Sequence, residues 1–414
     1  MPEQILDART SDPVLMGWQQ GLPPTPDKRI NWADAGHMRF PMHRYAFSNM
    51  RQFLPTVRVS RGSGSVWELP LALRDDLDAV ACTALDDGRA LTWEQSLAEN
   101  FTDAILVLHK GAIVYERYLG VTRPNSTHIA FSITKSYVGT IAEMLIAEGR
   151  LDPAAPMATL IPELAGSGFA DATLRQVLDM TTALDFSEEY TDPNSGIGAM
   201  SNALGLTPRP PGYSGTGDVY AFLPTIQKAG EHGTRFTYRT CNTEVLGWLV
   251  ARTEGKRLDQ VLSERIWAPL GMQQDADFLI DPTGMPFAGG GLNPCLRDLA
   301  RFGEAMRCDG TGNGGQAIAR EVVAGIKAGG SKTAFAPAGF TYLPDGSYRS
   351  QWWAMPGNHG AFSARGIHGQ AIYIDPVAEL VIARFGSHPV AANSAMDPTS
   401  LPAFRAMAEH LLQG

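Results

Sequence analysis

The sequence predicts an α/β (α+β) fold, an antiparallel sheet flanked by helices plus an inserted, mostly helical domain. Three observations carry this. β-rich runs flank tight turns near residue 110 and again near residue 375, the signals between them are mostly helical, and the first 80 residues are turn-rich with scattered aromatics. Strands from the two ends of a chain most simply join one sheet, with helices on its faces. The expected division is an irregular extension packed on the body over 1–80, a sheet domain from 81–150 and 345–414, and a mostly helical domain over 151–344. A cleft between sheet and helices is the default site.

In chain order, Leu22-Pro23-Pro24-Thr25-Pro26 and Arg61-Gly62-Ser63-Gly64-Ser65 punctuate the extension. Ala104–Leu108 and Ala112–Tyr118 surround Lys110-Gly111 and read as an antiparallel hairpin. From Ile133 to Gly149 apolar residues recur at helical spacing and the run closes on glycine. Val245, Leu246, Leu249 and Val250 share one face of a helix ending near Gly255. Asn293-Pro294 reads as a cap and first-turn proline for a helix with Leu296, Leu299 and Met306 inward. Gly369–Ile374 and Leu380–Arg384 flank Asp375-Pro376 as a second hairpin. Ser400 then caps a closing helix with Phe404, Met407, Ala408 and Leu411 on one face.

The charge balance excludes several functions. With 34 Lys and Arg against 43 Asp and Glu, the net charge is −9. Nucleic acid and anionic membrane surfaces both demand a basic face, so neither is an expected partner. Met1–Arg9 carries Glu3 and Asp7 without an apolar run, so no secretory signal is expected and the chain is read as mature. Apolar stretches such as Ala104–Leu108 are far shorter than the ~20 residues that span a bilayer. Cys82, Cys241, Cys295 and Cys308 are scattered without CxxC spacing, and no HxxxH or HExxH pair occurs. Reduced cysteines in a cytoplasmic protein, with no metal and no cofactor, are the expectation.

The chemistry concentrates at Phe131-Ser132-Ile133-Thr134-Lys135. Residues three apart share a helical face, so the Lys135 amine can reach the Ser132 hydroxyl. Serine needs a base to become a nucleophile, and a lysine in a dry cleft can lose its proton near neutral pH. A helix N-terminus adds N–H groups and a positive dipole end for a developing oxyanion. With 22 serines and 7 lysines in 414 residues, chance supplies about 0.4 such pairs, so the motif gains meaning from its neighbours.

Those neighbours form a pattern. His128–Ser136, followed by Ala147-Glu-Gly-Arg-Leu-Asp152 and Ile161-Pro-Glu-Leu164, resembles the serine β-lactamase, penicillin-binding protein and esterase superfamily. Thr173–Leu184 is similar to its "LLxHTSGL" segment and Trp267-Ala-Pro-Leu-Gly-Met272 to its "PLGM" segment, in the family's order over roughly residues 100–390. The resemblance implies a β-lactamase-like fold and an acyl-enzyme on Ser132 with Lys135. It also implies that Tyr238, in Phe236-Thr-Tyr-Arg-Thr-Cys-Asn242, shuttles protons as in the class C Tyr-x-Asn block. Neighbouring cations would then move the Tyr238 pKa down from ~10. Thr240 stands where the asparagine belongs; Asn242 either supplies a substitute or caps the following helix.

The third family block, Lys-Thr-Gly, matches Ala364-Arg365-Gly366 better than Lys332-Thr333-Ala334, because only the former leads into the C-terminal hairpin. By that match the Ile367 N–H joins the Ser132 N–H as the oxyanion hole, and Gly366 permits close backbone approach. Ala364 cannot hold a substrate carboxylate as the family lysine does; Arg365 either compensates or points elsewhere. Gly366–Pro376, Phe40–Arg51 and Asp185–Pro193 resemble the branch of 6-aminohexanoate-dimer hydrolases and their carboxylesterase relatives. In that branch the Tyr190 position lies on a loop closing over substrate, although a structural tyrosine is an equal reading. His368, after the glycine, invites a Ser-His reading, but the SxxK block makes lysine plus tyrosine the better base system; His368 reads as structural first and as a candidate substrate contact second.

The resulting expectation is a serine hydrolase acting on small linear amides or short carboxylic esters. Its expected partner is a small-molecule substrate, and a homodimer is the assembly the sequence allows. A β-lactamase or D-alanyl-D-alanine peptidase and a non-catalytic ligand-binding protein on the same scaffold are the rival readings. Gly310-Thr-Gly-Asn-Gly-Gly315 imitates a nucleotide loop but follows a helix, and Gly289-Gly-Gly-Leu-Asn293 reads as the approach to a helix cap.

Overall fold

Both hairpins form in the computed structural model, which describes residues 5–413. Thr102–His109 pairs with Ala112–Tyr118. Lys110 and Gly111 both take positive φ (52° and 81°), the conformation that a two-residue turn matched to strand twist requires. Gln370–Asp375 pairs with Leu380–Gly386, and the Asp375 carboxylate closes the turn by accepting the Val377 and Ala378 N–H groups at 3.1 and 2.9 Å. The two hairpins unite where Leu380–Gly386 pairs antiparallel with Thr102–His109. Phe362–Gly366, Trp352–Ala354 and Ser347–Arg349 extend the sheet to seven strands.

The Thr102–His109 strand is buried on both faces, and its alternation divides the core. Ala104, Leu106 and Leu108 face the cluster that includes Ile133, Tyr137, Phe302, Ile372 and Val381. Ile105 and Val107 face the cluster of Trp93, Tyr373, Ile382, Phe404, Met407 and Leu411. Helices therefore cover each face. Ile133–Ala147 packs on Thr240–Glu254, while Leu296–Arg307 lies against the sheet. That contact needs Gly303, where a Cβ would stand 2.6 and 2.7 Å from Val381 and Ile372 side-chain atoms.

Two helix starts and one strand differ from the sequence expectation. Asn293 is paired with Asp277 in a short strand and its Nδ2 donates to the Gly291 carbonyl at 2.8 Å, so Cys295 occupies the N-cap of the helix Leu296–Arg307. The closing helix begins at Asp397 and includes Pro402; Ser400 lies inside it, where its Oγ accepts from Arg384 at 2.7 Å. Within the extension, Thr56–Val59 forms a regular strand on Ala276–Leu279. The extension also buries Phe47, Met50 and Leu54 in the core. Within Gly310–Gly315, Asn313-Gly314 forms the turn between the two-residue strands Thr311–Gly312 and Gly315–Gln316. No helix among the described residues is long and apolar enough to cross a membrane.

Candidate active site

Ser132 occupies the N-cap position of the helix Ile133–Ala147, and Lys135 follows one turn later on the same face. The Lys135 Nζ donates to Ser132 Oγ at 2.8 Å and to the Gly289 carbonyl at 2.5 Å. Only 1% of Lys135 is exposed, and this burial lowers the amine pKa to about 8 against the opposing pull of Glu188, Glu244 and Cys241. A fraction of Lys135 is therefore a neutral amine near physiological pH.

Tyr238 is carried by the segment entering Thr240–Glu254, which the Phe236 and Thr237 N–H groups tie to Ala334 and Met180. Its ring stacks on Trp353 with centroids 5.6 Å apart, and the Lys135 Nζ lies 5.2 Å from its centroid. Burial pushes the Tyr238 hydroxyl well above its ordinary range; the Ser132 hydroxyl and Arg365 act in the opposite, weaker sense. This corrects the expectation of a lowered pKa. Desolvation exceeds the effect of the neighbouring cations, so the phenol stays protonated and Lys135 loses its proton first.

The Phe362–Gly366 strand brings Ile367 to the serine. Gly366 lies so near the Ala130 carbonyl that a Cβ would be 2.6 Å from its oxygen. Among the described residues, neither the Ser132 nor the Ile367 N–H has an acceptor within the protein. Each borders a residue in the left-handed region, Phe131 at φ 44° and His368 at φ 61°. A non-glycine residue held there costs about 1–3 kcal/mol and persists only when its surroundings fix it. Phe47 supplies that fixing: its ring lies 4.9 Å from Phe131 and 5.0 Å from His368.

Before these groups opens a cavity of about 310 Å³, walled by Tyr190, Phe340, Trp353 and Ile367 and edged by Glu188 and Glu189. Tyr190 is 39% exposed, and its hydroxyl donates to Glu188 at 2.7 Å. Glu188 also accepts the Thr240 N–H at 2.9 Å and the Thr240 hydroxyl, so the Thr240 side chain serves this carboxylate. Arg365 is ion-paired with Asp397 in the cavity wall and lies over Trp353.

Two candidate contacts lie away from the cavity. Asn242 is fully buried within its helix, where its Oδ1 accepts from Thr182 at 2.9 Å and its Nδ2 has no partner among the described residues; Arg239 holds the N-cap position, so Asn242 does not cap the helix. His368 donates from Nδ1 to the His388 carbonyl at 2.7 Å, and burial pushes its pKa down to about 4. It packs as a neutral ring against Phe47 and Phe131. Sequence reasoning missed Glu188, Trp353, Asp397 and the Gly289 carbonyl. Glu188 lies inside the quoted Asp185–Pro193 segment and Gly289 opens the Gly289–Asn293 run, but no local pattern shows what either faces.

The sequence matches the family described as Beta-lactamase over residues 94–399. It is 39% identical to the 6-aminohexanoate-dimer hydrolase of Paenarthrobacter ureafaciens over 389 residues, 94% of this chain and 91% of that protein. Among solved structures, the "Putative 6-aminohexanoate-dimer hydrolase from Bacillus anthracis" superposes with a TM-score of 0.85 at 30% identity, covering 94% of this chain and 99% of that one. A family VIII carboxylesterase shares the fold at a TM-score of 0.54 and 16% identity, covering 76% and 96% of the two chains.

Proposed function

The chain belongs to the β-lactamase family and is a serine hydrolase, and from that premise we propose that it cleaves small linear amides and short carboxylic esters through an acyl-enzyme on Ser132. The observation that carries this reading is the buried Lys135 amine, 2.8 Å from the Ser132 hydroxyl with a pKa near 8. As neutral amine, Lys135 takes the Ser132 proton while Oγ adds to the substrate carbonyl. The Ser132 and Ile367 N–H groups receive the oxyanion. Tyr238 gives its phenolic proton to the departing amine or alkoxide and regains one from the Lys135 ammonium. Water, deprotonated by the same pair, then adds to the acyl carbon, and collapse of that adduct frees the acid and returns the proton to Ser132.

The relative's name supports an amide of the 6-aminohexanoate-dimer type as substrate. Arg365, bound to Asp397, argues against a site built around a β-lactam carboxylate. A small-molecule partner in a cytoplasmic setting completes the reading, supported by the acidic balance and four free cysteines.

Turnover of a p-nitrophenyl ester, the 6-aminohexanoate dimer and a chromogenic cephalosporin tests it. Hydrolysis of the first two, lost in Ser132→Ala, is the expected result. Rapid cephalosporin cleavage with neither of the others would assign the site to β-lactams, and ester turnover unchanged in Ser132→Ala would remove Ser132 from the chemistry.

A further inference from the structure

Glu244 is a carboxyl that the reaction above leaves unused, and it is 1% exposed. It sits one turn into Thr240–Glu254, with its Oε1 accepting the Gly289 N–H at 2.5 Å. The carbonyl of the same Gly289 accepts from Lys135 Nζ at 2.5 Å. One glycine therefore links the carboxyl to the amine through its own N–H and C=O. A buried carboxylate is costly unless hydrogen-bonded and compensated by charge. Here the Gly289 and Ala288 N–H groups and Lys135 favour its charged form, while burial and Asp281 oppose it and push its pKa up to about 8. Tyr220 also faces it. On the lysine side Glu188 acts more strongly than Glu244 and Cys241 more weakly, and Ser132 and Tyr238 complete the surroundings.

We propose that Glu244 is a positioning residue for Lys135: it holds the Gly289 backbone that anchors the amine, and its carboxyl governs when that amine carries a proton. The inference rests on Lys135 being the base for Ser132. A carboxyl that merely satisfied the Gly289 N–H would be replaceable by an amide with no change in pH dependence. A charge regulator would not, because removing its negative charge makes the ammonium easier to deprotonate.

The test is kcat/KM for a p-nitrophenyl ester across pH for wild type, E244Q and E244D, with circular dichroism on each. The E244Q ascending limb is expected about half a pH unit below that of wild type, because the wild-type carboxyl, with a pKa near that of Lys135, is charged over only part of the limb, with KM little changed. E244D keeps the charge but cannot reach Gly289 equally well, so its limb stays in place while kcat falls about 10-fold or more. A limb that superimposes on wild type in folded E244Q overturns the proposal. Should E244Q fail to fold, wild-type kcat in E244D overturns it. Mass spectrometry of the quenched wild-type reaction separates the two claims. A Ser132 adduct with an unmoved limb sinks the Glu244 role alone, whereas no adduct sinks the Ser132 reading and this inference with it.

Discussion

Ser132 and Lys135 meet because three residues of helix bring two side chains to one face, and burial then does to the amine what no sequence pattern displays. With the Lys135 pKa near 8 and the Tyr238 hydroxyl well above its ordinary range, the lysine is the group that titrates in the working pH range. Since Lys135 must be neutral to accept the Ser132 proton, kcat/KM should rise with pH through about 8. Tyr238, still protonated there, matters most when the leaving group needs a proton. Tyr238→Phe should therefore lower kcat/KM for an amide about 10²–10⁴-fold and kcat/KM for a p-nitrophenyl ester much less, because that ratio reports acylation and p-nitrophenolate departs unprotonated. Equal losses on both substrates, measured side by side, would contradict the relay. The serine and lysine were legible in the sequence because their contact is local. The Gly289 carbonyl was not, since its contact with Lys135 spans 154 residues, and the shift at Tyr238 was misjudged because desolvation depends on packing.

Among elements, the hairpins were the most legible, since alternation and turn chemistry are local signals. Helix starts were less so: Asn293 and Ser400 have the side chains of N-caps, but strand pairing with Asp277 claims the first and a hydrogen bond from Arg384 the second. The element that matters most for chemistry is the Phe362–Gly366 strand, which delivers the Ile367 N–H against Ala130–Ser132. Gly366 lets the two backbones approach; a methyl there must displace one of them. Gly366→Ala is expected to leave the protein folded while lowering kcat about 10²–10³-fold, the loss typical of one oxyanion donor. KM for the ester should change little. Steady-state kinetics beside an unfolding curve checks this, and an active Gly366→Ala would show that Ile367 does not hold the oxyanion.

Over the whole molecule, strands from both ends of the chain join in one sheet, as the spacing of the two hairpins indicates. Two features were hidden from that view. The Leu296–Arg307 helix, expected inside the helical insertion, rests on the sheet through Gly303. The extension does more than wrap the body: Phe47 buttresses Phe131 and His368, the left-handed residues beside the Ser132 and Ile367 N–H groups. Both depend on contacts far apart in sequence, which periodicity cannot report. Extension, sheet and helical region thus converge on one serine. The most direct measurement is the intact mass of enzyme quenched during turnover of a p-nitrophenyl ester, followed by peptide mapping. One acyl group per chain, mapped to Ser132 and missing from Ser132→Ala, is the predicted result. Steady turnover with an unmodified chain, or an acyl group on another residue, would contradict it.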